Sequence, residues 1–183
     1  MQILGIAGSI RSASLNRQLL VELQHLVAPT HTLEIAEIAD IPHYNTEIDD
    51  PNGVTTPASV LRLRHQIHQA NVLVIATPEY NHGIPGVLKN ALDWASRPFG
   101  KSALIGKPVA VIGGGGASGG IRAQVQLRQV LNGSGMHVLT RPEVALRFAD
   151  VFKDGQLVDT NARDTLQRMI EALVVWHRKV TSD

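Results

Sequence analysis

The sequence predicts an α/β domain in which helices cover both faces of a five-stranded parallel sheet with the strand order 2-1-3-4-5. Short apolar runs alternate with segments of helical periodicity along most of the 183 residues. Helix-length connections between strands give parallel pairing with right-handed crossovers, and 2-1-3-4-5 is one of two common orders for such sheets. The length suits one core, so we treat residues 1–183 as a single domain.

The strands are predicted where short apolar runs are rich in β-branched residues. The clearest run, Val72-Leu73-Val74-Ile75-Ala76, contains no polar side chain, which is typical of a strand buried on both faces. The predicted strands are Gln2–Ala7, His31–Ile38, Asn71–Ala76, Lys107–Ile112 and His137–Leu139, with a short extra strand at Gln156–Val158.

The helices are predicted from apolar residues spaced three or four apart. Leu15, Leu19 and Leu23 show this spacing in the first helix, and Thr56 precedes Pro57 as a candidate N-cap of the second. Asp40–Gly53 is rich in acids, Pro and Asn, which predicts an exposed loop. The predicted helices are Ser14–Val27, Pro57–Ala70, Pro85–Ala95, Ile121–Leu131 and Thr160–Val180, with Asp159 or Thr160 at the start of the last.

Composition excludes several classes of function. A net charge of +1 argues against nucleic-acid binding through a basic surface. The absence of cysteine removes disulfides, thiolate nucleophiles and cysteine-ligated metals. The histidines show no convincing metal-ligand spacing, since His65 and His68 lie one turn apart without a third ligand. No apolar stretch reaches membrane-spanning length and no signal-peptide pattern is present, so we expect a cytoplasmic location and no membrane partner.

The loop after the first strand has the composition of a phosphate cradle. Gly8 permits close backbone approach, and the segment from Ser9 to Asn16 supplies hydroxyl, guanidinium and amide donors. The start of the first helix adds unpaired N–H groups and a positive dipole end. No Gly-Lys-Ser/Thr sequence occurs, so this is not a Walker loop. A serine-rich helix start without a ligand remains the alternative.

The loop after the third strand, Thr77–Gly86, is the most informative segment. It places an aromatic ring, a carboxylate, an amide and free backbone N–H groups where a strand leads into a helix beginning near Pro85. Loops at the carboxyl ends of parallel strands bind ligands in α/β sheets. The combination favours a flat ring with polar edges as the ligand.

The loop predicted after the fourth strand, Gly113–Gly120, is glycine-rich. Gly114, Gly116 and Gly119 match the dinucleotide-binding pattern, but they follow the fourth strand and no acid lies about twenty residues later. We favour a flexible loop whose backbone lies against a flat ring. A mobile surface loop remains the alternative.

These segments together resemble the NADPH-dependent FMN reductase family over residues 1–140. The motifs on which the resemblance rests are Gly8-Ser9-x-Arg11-x-x-Ser14-x-Asn16, Pro78-Glu79-Tyr80-Asn81 and Pro85-Gly86-x-Leu88-Lys89-Asn90-Ala91-x-Asp93-Trp94. Gly119-Gly120-x-Arg122-Ala123-Gln124-x-x-Leu127-Arg128-Gln129 is similar to the chromate and quinone reductase branch. The resemblance implies a flavodoxin-like fold.

The resemblance also implies a set of FMN contacts. The phosphate would lie on Ser9, Arg11, Ser14 and Asn16, at the helix start that includes Leu15. The ring system would rest on Pro78, Glu79, Tyr80 and Asn81, with His82 and Gly83 near its edge and Gly113, Gly114 and Gly115 on the other side. Tyr80 and His82 are candidates for acceptor contact or proton delivery, and a solvent-facing loop position is the alternative for His82.

The implied activity is hydride transfer from NADPH or NADH, through bound FMN, to a small acceptor in ping-pong fashion. The acceptor would be a quinone, chromate, an azo compound or a free flavin, and no side chain need act as a catalytic residue because the cofactor carries the chemistry. One alternative is a flavodoxin-like electron carrier, although the charge of +1 is unlike the acidic docking face of such carriers. Another alternative is a sensor that binds no flavin.

The resemblance implies an oligomer as well. Members of the family are dimers or tetramers, which makes a homodimer or homotetramer through segment 84–97 the expectation. In that arrangement Leu88, Leu92 and Trp94 would be the buried anchors between subunits.

Overall fold

The structure is a computed structural model and describes residues 1–182. Its elements, in chain order, are β1 (Gln2–Ala7), α1 (Leu15–Val27), β2 (Thr32–Ala36), a 3-10 turn (Thr46–Ile48), α2 (Ala58–Gln69), β3 (Val72–Thr77), α3 (Gly86–Ala95), β4 (Pro108–Gly115), α4 (Ile121–Gly133), β5 (His137–Arg147), α5 (Phe148–Val151), β6 (Phe152–Lys153), β7 (Gln156–Leu157) and α6 (Thr160–Thr181).

The main sheet has five strands in the order β2-β1-β3-β4-β5, all parallel. The predicted fold class and strand order are therefore confirmed. The short strand predicted at Gln156–Val158 forms β7, which pairs with β6 in a separate antiparallel hairpin. No helix within residues 1–182 combines the length and apolarity needed to cross a bilayer.

The core consists of two apolar layers, one on each face of the sheet. β3 shows why, because alternate residues point to opposite faces and both faces are covered. Leu73 and Ile75 pack with α2, α3 and α4, whereas Val72 and Val74 pack with α1 and α6. All four side chains are fully buried. Apolar packing on both faces fixes the register of the central strands.

The helix starts show which residues act as N-caps. Ser14 caps α1 by accepting a hydrogen bond from the Arg17 backbone N–H, and Asp159 rather than Thr160 caps α6. The prediction that Thr56 caps α2 is wrong. The Thr56 hydroxyl instead accepts from the Asp50 N–H and donates to the Asp50 carbonyl, so it fastens the preceding loop.

The last two strands of the sheet extend beyond their predicted ends. β4 continues through Gly115 and β5 through Arg147, with a register shift opposite Val111. The prediction of a loop beginning at Gly113 is wrong, because Ala145, Leu146 and Arg147 of β5 pair with Gly113, Gly114 and Gly115. Glycine runs weaken a strand on their own, and here the pairing comes from a neighbour distant in sequence.

The loop Asp40–Gly53 is also more firmly held than predicted. The Trp94 indole N–H donates to the Pro42 carbonyl at 2.8 Å, and the Asn90 side chain accepts from the Tyr44 N–H at 2.8 Å. Asp49 forms a largely buried ion pair with Arg64 at 2.8 Å. These contacts fasten the loop onto α2 and α3.

The expectation that Leu88, Leu92 and Trp94 anchor a subunit interface is wrong. Each is at most 2% exposed within the protomer, where all three belong to the apolar layer on one face of the sheet. Their apolar spacing along the helix predicts burial, and the side chains that bury them belong to the same protomer.

Candidate functional site

The loops that follow β1 and β3 meet at the carboxyl edge of the sheet. The chain leaves β1 toward β2 on one side and leaves β3 toward β4 on the other, so a crevice opens between β1 and β3. The Gly8 N–H donates to the Ala76 carbonyl at 2.8 Å, which keeps the two strands paired up to the crevice.

The loop that follows β1 (the first loop) and the loop that follows β3 (the second loop) touch through two side chains. The Ser9 hydroxyl lies 3.3 Å from the phenolic oxygen of Tyr80, and it also accepts from the Arg11 N–H at 3.4 Å. Ser9 is 8% exposed, whereas Tyr80 is 47% exposed. The tyrosine ring thus stands at the rim of the crevice with its hydroxyl directed toward the first loop.

The first loop surrounds a small cavity rich in hydrogen-bond donors. A volume of about 160 Å³ is lined by Ser9, Arg11, Ser12 and Arg17, together with the end of β2. The one carboxylate in the lining, Glu37, already accepts from two backbone N–H groups. The cavity is of the size and charge that would accommodate a phosphate group.

The start of α1 faces the same loop. Ser14 uses its hydroxyl as the helix cap, and its N–H donates to the Arg11 carbonyl at 3.1 Å. The N–H groups of Leu15 and Asn16 are the first of the helix, so the helix itself offers them no acceptor. Such N–H groups bind anions, and the helix dipole adds to the attraction.

The Asn16 side chain does not face the loop. Its amide oxygen accepts from the Gly114 N–H at 3.1 Å, and its amide nitrogen donates to the Gly114 carbonyl at 3.3 Å. Asn16 is 3% exposed. The side chain thus joins α1 to the end of β4, which differs from the phosphate contact expected for it.

The second loop has a tight turn at its tip. Tyr80 and Gly83 exchange two backbone hydrogen bonds, of 3.1 and 2.9 Å, so Asn81 and His82 are the central residues. Their φ values of 49° and 67° are left-handed, as a type I′ turn requires. From α4, the Gln126 side chain donates to the His82 carbonyl at 3.2 Å. The turn projects into solvent and is supported from behind.

The Glu79 carboxylate is directed toward α4 and away from the crevice. It accepts from the Arg122 guanidinium at 2.8 Å, the Arg122 N–H at 3.0 Å and the Ser118 hydroxyl at 3.4 Å. The hydrogen bond from the Arg122 side chain holds the pKa of Glu79 below its ordinary value, and backbone donors at the helix start act in the same direction.

Arg122 and Gln126, which support the second loop, were missed as site residues by the sequence reasoning. The strand order would have indicated both, because β3 and β4 are neighbours and the start of α4 must lie beside the loop that follows β3. The two residues also share one face of α4, being four positions apart.

The three glycines predicted to flank a ring have different roles. A Cβ on Gly113 would lie 2.1 Å from the Thr77 carbonyl oxygen, and one on Gly114 would lie 2.3 Å from the Phe148 ring. These two positions require glycine for close packing. A Cβ on Gly115 would have no atom within 4 Å, so Gly115 is the one of these three glycines that borders open space. The expectation of a flexible loop is therefore wrong for Gly113 and Gly114.

The arrangement is suited to binding an elongated ligand. Within residues 1–182 no group of three metal-binding side chains comes together. At one end lie an anion cavity and a helix start, and at the other an exposed aromatic ring and a turn rich in backbone polar groups. An elongated molecule with a phosphate and a flat polar ring matches both ends.

Comparisons with known proteins agree with this chemistry. A sequence model of the family described as NADPH-dependent FMN reductase matches residues 1–150. An NAD(P)H-dependent FMN reductase of Pseudomonas aeruginosa is 43% identical over 183 residues, covering 98% of this chain and 97% of the relative. A quinone reductase of Pseudomonas putida is 36% identical, with coverage of 93% and 91%.

A solved structure shows the same fold. FerB, an NAD(P)H:acceptor oxidoreductase flavoenzyme from Paracoccus denitrificans, superimposes with a TM-score of 0.87 at 35% identity, and the match covers 97% of each chain. The similarity therefore extends over nearly the whole chain.

Proposed function

The chain belongs to the NADPH-dependent FMN reductase family, and we propose that it transfers hydride from NADPH through FMN to a quinone by a ping-pong mechanism. The family match and the relatives make it an NAD(P)H-dependent flavoenzyme with FMN as cofactor. The observation that carries the proposal is the pairing of an anion cavity at the first loop with an exposed aromatic turn at the second, joined by Ser9 and Tyr80.

Bound FMN supplies the redox chemistry, and the protein binds and orients it. We assign the phosphate end to Ser9, Arg11 and Ser14, with the N–H groups of Leu15 and Asn16. Arginine and helix-start N–H groups both favour a phosphate dianion. Asn16 would contribute through its backbone, because its side chain is engaged by Gly114.

The ring end is assigned to the backbone of Pro78, Glu79, Tyr80 and Asn81, with Gly83 at its edge and Gly115 opposite. Backbone N–H groups held by a rigid turn stabilise negative charge without reorganising, because their dipoles are already aligned. The contacts of Glu79 and Gln126 with α4 support that rigidity. Gly113 and Gly114 would act by allowing the strand end to pack closely.

No side chain is assigned as a nucleophile, metal ligand or catalytic residue. Tyr80 and His82 are exposed at the rim of the crevice and are proposed to contact donor or acceptor. A histidine there could also deliver a proton to a reduced quinone. Because donor and acceptor would occupy the same open face in turn, ping-pong kinetics are expected.

Quinones are the proposed acceptor class because several relatives act on quinones by name, among them the Pseudomonas putida enzyme and a 2-hydroxy-1,4-benzoquinone reductase of Burkholderia. Chromate, azo compounds and free flavin are further candidates for the same open site. We also propose a cytoplasmic location and a homodimer or homotetramer. Since Leu88, Leu92 and Trp94 are buried in the protomer, subunit contacts through segment 84–97 would use its outward side chains.

The proposal is tested by loading the protein with FMN, removing unbound flavin and following the visible flavin band anaerobically as NADPH is added. Rapid bleaching that is reversed by a quinone is the expected result. A bound flavin that NADPH does not bleach would favour a flavodoxin-like electron carrier. Failure to retain flavin would contradict the cofactor assignment. Replacing the quinone by chromate, an azo dye or free FMN ranks the acceptors, and NADH in place of NADPH ranks the donors.

A further inference from the structure

A second concave surface of the protein is strongly basic. A cleft of about 700 Å³ lies between the end of α2 and the connection from α3 to β4, and none of its lining residues is acidic. Its positively charged and imidazole side chains are Arg64, His65, His68, Arg97, Lys101 and Lys107. The volume is in the range typical of small-molecule sites.

This basic cleft is separate from the first and second loops, which are together called the flavin loops below. Lys107 immediately precedes β4. His68 lies in the last turn of α2, shortly before β3 begins. The cleft therefore lies at the amino ends of the strands, whereas the flavin loops lie at their carboxyl ends. β4 is 8 residues long, which separates the two edges by roughly 25 Å.

Most of the charge in the basic cleft is not neutralised by carboxylates. Arg64 is the exception, since it pairs with Asp49 at 2.8 Å. None of the other ion pairs formed within residues 1–182 includes Arg97, Lys101 or Lys107. The Lys107 ammonium donates to the carbonyls of His68 and Ala70, which fixes its position but does not cancel its charge.

Arg97 lines the basic cleft and packs beside Tyr44. Its guanidinium lies 5.8 Å from the centroid of the Tyr44 ring, and its Nε is buried without a hydrogen-bond partner in the described part of the chain. A guanidinium presents its donors in a fork that matches phosphate oxygens. Lys101 is exposed four residues further along the same connection.

An apolar surface adjoins the charges. Phe99 is 89% exposed, and it lines a neighbouring depression of about 480 Å³ that shares Arg97 and Ile105 with the basic cleft. A large aromatic side chain so exposed beside unpaired cations suits a ligand with a flat apolar part and an anionic part.

We propose that the basic cleft binds a phosphate-chain anion, with Arg97 and Lys101 as its main contacts and Lys107 supplying further charge. Several unpaired cations in one cleft favour a ligand with more than one negative charge, and the arginine fork favours phosphate. The chain could be inorganic pyrophosphate or part of a nucleotide. In a nucleotide, the base would lie against Phe99. This proposal does not depend on the redox function.

The test is calorimetric titration of the FMN-loaded protein with pyrophosphate and with ADP at low salt. Lys101→Gln and Arg97→Gln are each expected to raise Kd at least fivefold, while Lys153→Gln, which removes an exposed lysine outside the cleft, should leave it unchanged. Lys101 is exposed, so its variant should fold normally. Tighter binding of ADP than of pyrophosphate, abolished by Phe99→Ser, would identify a nucleotide as the source.

Two results would overturn the proposal. One is no detectable binding of either probe at millimolar concentration. The other is binding that NADPH displaces and that Lys101→Gln and Arg97→Gln do not weaken, because ADP would then occupy the donor site at the flavin loops. Turnover with NADPH and a quinone should be the same in Lys101→Gln as in the parent, so a redox failure and a failure of the cleft proposal are measured separately.

Discussion

The side-chain oxygens of Ser9 and Tyr80 lie 3.3 Å apart, although the two residues are 71 positions apart in the sequence. This contact joins the loop proposed to hold a phosphate to the loop proposed to hold a ring. Because the first loop begins at the end of β1 and the second at the end of β3, the parallel pairing of these strands brings the contact about. One elongated ligand could therefore bridge both loops.

Two substitutions of Tyr80 distinguish the contribution of its hydroxyl to FMN binding from that of its ring. Tyr80→Phe removes only the contact with Ser9, so we expect FMN affinity to fall by about fivefold or less. Tyr80→Ala also removes the ring and should weaken binding further and shift the visible flavin band. Fluorescence titration and absorption spectra measure both effects. Parent-like affinity, spectrum and turnover in Tyr80→Ala would contradict the placement of the second loop.

Arg11→Ala tests the anion cavity. Loss of one charge-assisted phosphate contact should weaken FMN binding by about 1.5–3 kcal/mol, or roughly 10- to 150-fold in Kd. Riboflavin is the matched control ligand because it lacks the phosphate, and its affinity should hardly change. If FMN and riboflavin lose affinity equally, Arg11 supports the fold of the loop and does not contact the phosphate.

Gly114→Ala tests why the strand end consists of glycine. The added Cβ would lie 2.4 Å from the Leu146 carbonyl oxygen and 2.3 Å from the Phe148 ring. We expect a loss of about 1–3 kcal/mol in the free energy of unfolding, toward the upper end because backbone must move. Urea denaturation of the flavin-free protein gives the value. Gly115→Ala is the control, since its Cβ meets open space; equal losses would be inconsistent with this explanation.

The pair of Glu79 and Arg122 should make stability depend on acidity. The pKa of Glu79 in the folded protein is lowered from its ordinary value of 4.5, chiefly by the Arg122 side chain. A lowered pKa contributes stability that is present above the unfolded value and is lost as pH falls through the folded value. Below about pH 4.5, the melting temperature should therefore fall more steeply in the parent than in Glu79→Gln.

An exposed carboxylate provides the comparison for that acid dependence. Glu171 lies on the outer face of α6, where it accepts from Gln167 at 2.9 Å. Glu171→Gln should retain the parent's slope of melting temperature against pH. Identical slopes in the parent and in Glu79→Gln would mean that the pair does not link acidity to stability.

Trp94→Phe tests the burial of α3. Trp94 is fully buried, and its indole N–H donates to the Pro42 carbonyl at 2.8 Å. Loss of this bond and of part of the ring should destabilise the protein by about 1–3 kcal/mol. The oligomeric state, measured by light scattering, should not change because the ring contacts its own protomer. Trp176→Phe, at a partly exposed ring of α6, should destabilise the protein less. Dissociation of the oligomer caused by Trp94→Phe would contradict this prediction and indicate that Trp94 lies in a subunit interface.

The local sequence patterns were enough to predict the alternation of strands and helices, the parallel pairing and the positions of the two main loops, whereas 2-1-3-4-5 was one of two strand orders compatible with them. The run Val72–Ala76 must be a strand buried on both faces, and the helix-length connections require parallel pairing. Those local patterns bring the loops after β1 and β3 to one edge. Asp159, one of the two residues expected at the start of the last helix, is its N-cap.

The contacts made by the residues of those loops became known from the three-dimensional packing alone. Asn16 bonds to Gly114, 98 positions away, and Glu79 bonds to Arg122, 43 positions away. Gly113 and Gly114 belong to a strand because β5 pairs with them, and Trp94 is covered by its own chain. Contacts between residues so distant in sequence depend on register and packing across the sheet, which local periodicity and propensity do not encode.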